Sequence, residues 1–79
     1  MSDVHVPEGL WQTSIMPEGI LERWLARDGE IVAAGEAVAA IRVGESLHDV
    51  VSPSNGRLRL GMETGGLVEP GTVIAAVVT

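Results

Sequence analysis

The sequence predicts a single all-β domain, residues 1–79, in which two similar halves pack into a small sandwich or barrel. Three observations carry this. Gly or Pro interrupts the chain every few residues, at Pro7–Gly9, Pro17–Gly19, Asp28-Gly29, Gly35, Gly44, Pro53–Gly56, Gly61, Gly65-Gly66 and Pro70-Gly71. The segments between these breaks are too short for average helices of ~11 residues. They are also rich in Val, Ile and Leu, as short strands are. Finally, the chain repeats itself. Asp28-Gly29-Glu30-Ile31-Val32 aligns with Thr64-Gly65-Gly66-Leu67-Val68, and Gly35-Glu36-Ala37-Val38-Ala39-Ala40-Ile41 aligns with Gly71-Thr72-Val73-Ile74-Ala75-Ala76-Val77. Upstream, Gly19-Ile20-Leu21 resembles Gly56-Arg57-Leu58. Each half alone has too few strands to bury an apolar face, so the halves must pack on each other.

Taken in order, the first strand is expected over Val4–Val6, closed by Pro7. A loop containing Leu10 and Trp11 follows. The second strand, Gly19–Ala26, carries Leu21 and Trp24, with Trp24 expected in the core and its N–H satisfied. Ile31–Val32 is a short strand between two glycine turns. The alanine-rich stretch Ala33–Ala40 invites a helix, because alanine is the best helix former. Gly35 interrupts it, however, and Ile31, Val32, Val38 and Ile41 make no helical stripe, so a turn and a strand over Ala37–Arg42 are expected. Further strands follow over Leu47–Val51, Gly56–Leu60, Leu67–Val68 and Val73–Val78.

Composition excludes several functions. There is no cysteine, so disulfides, thiolate metal sites and thiol nucleophiles are ruled out. An apolar content of 46% suits a folded core rather than disorder. The net charge of -6, without a basic stripe, disfavours nucleic acid. No apolar run approaches the ~20 residues of a membrane-spanning helix. The start, Met-Ser-Asp-Val-His-Val, does not read as a signal peptide, so a soluble, cytoplasmic protein is expected.

The ordered motifs Glu18-Gly19-Ile20-Leu21-Glu22-Arg23-Trp24, Asp28-Gly29-Glu30-Ile31-Val32-Ala33-Ala34-Gly35-Glu36 and Val50-Val51-Ser52-Pro53-Ser54-Asn55-Gly56, completed by Gly66 to Ile74, resemble the biotinyl/lipoyl attachment domain family, its lipoyl branch best. The likeness spans nearly the whole chain. It implies a flattened barrel-sandwich hybrid of two small antiparallel sheets with a pseudo-twofold axis. It also implies a swinging arm: a lysine at a hairpin tip takes lipoate through an amide bond and visits the active sites of a multienzyme complex.

At the tip the resemblance breaks. The Asp-Lys-Ala of lipoyl domains, counted back from Ser52-Pro53, falls on Gly44-Glu45-Ser46, so Glu45 stands where the lysine would be. The Met-Lys-Met of biotinyl domains is absent as well. All five basic residues are arginines, at 23, 27, 42, 57 and 59. A guanidinium stays protonated and is a poor nucleophile. No lipoate or biotin is therefore expected on this chain. The preferred expectation is an unmodified docking module whose partner is a protein of a 2-oxo-acid dehydrogenase-type or carboxylase system, or an enzyme that handles lipoate or biotin. The contact residues would be Gly44, Glu45 and Ser46 of the tip, with Leu10 and Trp11 of the loop that, in the family, lies near the tip. Trp11 could equally fold back over a sheet edge. The alternative is a swinging-arm carrier domain of a dihydrolipoamide acyltransferase component whose lysine is replaced at Glu45. Since the acidic residue before the lysine is also missing, a single substitution does not account for the tip.

No catalytic or metal-ligating set stands out. His5 and His48 lack ligand spacing. His48-Asp49 could be an oriented imidazole, but no nucleophile is evidently paired with it. Asp28, Glu30, Glu36, Glu45, Asp49, Glu63 and Glu69 flank turns and read as solubilising charges that guard sheet edges.

Overall fold

A computed structural model describes residues 1–7 and 18–79. Among them there are eight strands: β1 (Ser2–His5), β2 (Gly19–Trp24), β3 (Ile31–Val32), β4 (Ala37–Val43), β5 (Ser46–Val51), β6 (Gly56–Leu60), β7 (Leu67–Val68) and β8 (Val73–Val78). They form two four-stranded antiparallel sheets, ordered β1-β8-β6-β3 and β5-β4-β2-β7. Advancing every strand of the first sheet by four, counting round from β8 to β1, gives the order of the second.

The repeat holds hydrogen bond by hydrogen bond. Gly29 N–H donates to Leu58 O, and Gly65 N–H donates to Leu21 O. Leu58 N–H donates to Glu30 O, and Leu21 N–H donates to Gly66 O. Leu25 N–H reaches Val38 O as Gly61 N–H reaches Ile74 O. Each half thus closes its sheet with backbone from the other, which is why neither half can stand alone.

Strand alternation sets the core. Leu21 and Ile41 of one sheet and Leu58 and Ile74 of the other are fully buried, with Val4, Val38 and Val77 between them. Side chains of this size contribute roughly 2 kcal/mol each on burial. Ala39 and Ala75, which face each other in the sequence repeat, are both buried. Small residues there let the strands pack closely.

The boundaries of four strands differ from expectation. β1 runs over Ser2–His5 rather than Val4–Val6, because its ladder with β8 starts at Ser2↔Val77 and slips at Val4/His5. Val6 stays buried but bonds to the Thr72 turn instead. β2 stops at Trp24, where Leu25 turns to bond Val38 O; Ala26 is buried without joining the ladder. β4 runs one residue longer, to Val43, and β5 starts one residue earlier, at Ser46. The Ala33–Ala40 stretch is strand–turn–strand as expected: Glu36 N–H donates to Ala33 O at 3.0 Å, and Ala37 opens β4.

Gly56 opens β6 with φ of +155°, and a Cβ there would lie 2.5 Å from the backbone oxygen of Val78. Only glycine permits that approach between β6 and β8. No helix among the described residues is long and apolar enough to cross a membrane.

Candidate functional site

The β4–β5 hairpin brings the sequence-predicted tip residues together. Val43 pairs with Ser46, leaving Gly44-Glu45 as a two-residue loop. Gly44 has φ of +62°, while Glu45 has an ordinary negative φ. Positive φ at the first loop residue only is the sign pattern of a type II′ turn, whose twist matches that of the strands and whose first position prefers glycine. Gly44, Glu45 and Ser46 are all exposed, so the Glu45 side chain stands at the apex of the hairpin.

The chemistry of the tip does not fit lipoate or biotin. Attachment needs a primary amine, and the apex offers a carboxylate. Arg42, the nearest basic residue in β4, is engaged elsewhere. Its Nε and Nη2 both donate to Glu22 Oε1, at 3.0 and 2.7 Å. The hydrogen bond from Arg42 and its positive charge hold the Glu22 carboxyl below the ordinary carboxylate range. Both side chains are solvent-exposed, so water screens the pair heavily.

Arg42 also lies in a row that sequence reasoning missed. Leu47, Arg42, Ile20 and Leu67 are register partners across β5, β4, β2 and β7. Leu47, Ile20 and Leu67 are 48%, 39% and 64% exposed. Beside the tip, Glu18, Gly19, Ile20, Arg42, Gly44 and Leu67 line a hollow of about 240 Å³. The alternation Ile20-out/Leu21-in was the available signal, but which face of a strand is outer is settled only by sheet pairing.

No family model matches the chain, and no curated protein matches it.

Leu10 and Trp11, the loop contacts expected beside the tip, lie outside the described residues. His48 and Asp49 are adjacent in β5, so their side chains point to opposite faces, and no hydrogen bond joins them. A dyad is not formed. His5 is exposed on β1. No group of three or more His, Cys, Asp or Glu able to hold a metal occurs among the described residues.

Three exposed carboxylates read as solubilising charges also accept hydrogen bonds from backbone N–H groups. Glu30 Oε1 accepts from Arg27 N–H and Glu36 Oε1 from Ala33 N–H, each at 3.0 Å across a turn. Asp28 Oδ1 accepts from Leu60 N–H at 3.0 Å, tying the two repeats together. Trp24 is half-buried at the rim of the core rather than inside it. Its indole N–H donates to Met62 O at 3.1 Å.

Proposed function

We propose that this chain is a lipoyl-domain-like docking module that carries no prosthetic group of its own. It would present the Gly44–Ser46 tip to a protein of a 2-oxo-acid dehydrogenase-type or carboxylase system, or to an enzyme that handles lipoate or biotin, in the cytoplasm. The observation that carries the reading is a carboxylate at the apex of an exposed two-residue hairpin, where the family it resembles holds its acylated lysine. The strand order and the paired hydrogen bonds support the finer fold reading, a flattened barrel-sandwich hybrid with a pseudo-twofold axis.

The turn geometry favours this over the carrier alternative. Gly44 adopts a backbone conformation suited to glycine, in place of the acidic residue of the lipoyl tip. The tip therefore departs from the lipoyl pattern at Gly44 as well as at Glu45, so a lysine at position 45 alone would not restore it. The row Leu47–Arg42–Ile20–Leu67 beside the tip offers apolar area that a docked partner would cover.

The test is nuclear magnetic resonance mapping with purified components of the two complex types and with lipoate and biotin ligases. Binding should perturb Gly44–Leu47 and weaken on Glu45→Ala or Leu47→Ala. Perturbation confined to the other sheet, or no binding to any of these proteins, would refute the docking reading.

A further inference from the structure

A second concavity lies at the other end of β2 from the tip, where the two repeats meet. The β2–β3 loop and the β6–β7 loop flank a shallow, widely open cleft of about 620 Å³. Trp24, Leu60 and Met62 supply its apolar surface, and Asp28 and Glu63 its charge. The indole is pinned by its bond to Met62 O, so the ring is a fixed wall. Met62 lies so close over Gly66 that a Cβ there would meet its Cε, so the glycine leaves the thioether room beside the loop. Asp28 is oriented by Leu60 N–H through Oδ1 alone.

The only ion pair among the described residues is Arg42–Glu22, at the far end of β2. Both carboxylates of the cleft thus lack a cationic partner among the described residues. One comes from each repeat, and the internal symmetry does not account for Asp28, which aligns with Thr64 and whose second oxygen has no partner among the described residues. Their presence around an aromatic and a thioether is the pattern that recognises an organic cation, by charge and by contact with the polarisable side chains of Trp24 and Met62. We infer that this cleft binds a small organic cation, an ammonium or guanidinium carried on an apolar body. The site is independent of the hairpin tip and of the docking reading.

The test is a titration of the intact chain with 2-phenylethylamine, followed at the Trp24 indole N–H resonance, which Trp11→Phe distinguishes from the other tryptophan. Neutral 2-phenylethanol and anionic phenylacetate are the controls. A saturable shift at Trp24, Gly61 and Met62 with the amine alone is expected. Asp28→Asn keeps an oxygen for Leu60 N–H, and Glu63→Gln alters only the rim, so both variants should fold, as their melting curves would show. Each should weaken the amine about three-fold and the pair about ten-fold. A blocked phenylalanyl-lysine peptide asks whether the cation belongs to a protein: tighter binding than the amine assigns the cleft to a partner's lysine, weaker binding to a free amine. Equal binding of amine and alcohol, no saturable shift, or unchanged affinity in the double variant would overturn the proposal.

Discussion

Glu45 puts a carboxylate at the hairpin apex, and Gly44 sets the turn that exposes it. With φ of +62° and no atom of the other described residues within 4 Å of a would-be Cβ, Gly44 serves the turn through its backbone. Gly44→Ala should therefore destabilise the domain by about 1–2 kcal/mol, measured by urea unfolding, without changing the fold. A larger loss would mean that the side-chain space is not open. Glu22 provides a pH reading. Its carboxyl is held low by Arg42, so the stabilisation it supplies is complete above the ordinary value of 4.5 and fades as pH falls through the depressed one. Titration followed by carbon-13 resonances should give Glu22 a low midpoint, and Arg42→Gln should return it to the usual range. At neutral pH the same substitution should scarcely move the melting temperature, because the pair is exposed.

At the level of elements, the strands were largely legible in the sequence, because glycine and proline breaks leave no room for helices. β3, β6, β7 and β8 follow those breaks directly. The ends that moved are those fixed by partners far along the chain. Ser2 joins β1 because Val77 is opposite, and Ala26 leaves β2 because Leu25 bonds Val38. The tip was legible from the count to Ser52-Pro53, but its turn type needed the φ of Gly44. The cleft was not legible: Asp28 and Glu63 come together only once the repeats pack. Gly56 marks an element-level constraint, since its φ and its approach to Val78 O both exclude a side chain. Gly56→Ala should cost about 2–4 kcal/mol and loosen the β6–β8 ladder, seen as faster amide exchange at Leu58 and Val77.

The whole molecule should unfold as one cooperative unit, because each repeat supplies backbone partners to the other. Its core is almost wholly aliphatic, with large side chains few enough that each matters. Leu58→Ala or Ile74→Ala should cost about 3–5 kcal/mol, a large share of the 5–15 kcal/mol typical of a domain. Calorimetry should show either change lowering a single transition; two separate transitions would mean the repeats unfold independently. The same scaffold places the acidic apex and the anionic cleft at opposite ends of β2. Two binding events could then proceed on one small domain without competing.

The hairpin apex offers no amine to acylate. The most direct measurement is the intact mass of the chain after incubation with lipoate–protein ligase or biotin ligase, the cofactor and ATP. We expect the mass to stay unchanged, and a Glu45→Lys, Gly44→Asp variant to gain one cofactor. A gain of one lipoyl or biotinyl group on the unaltered chain would contradict the account.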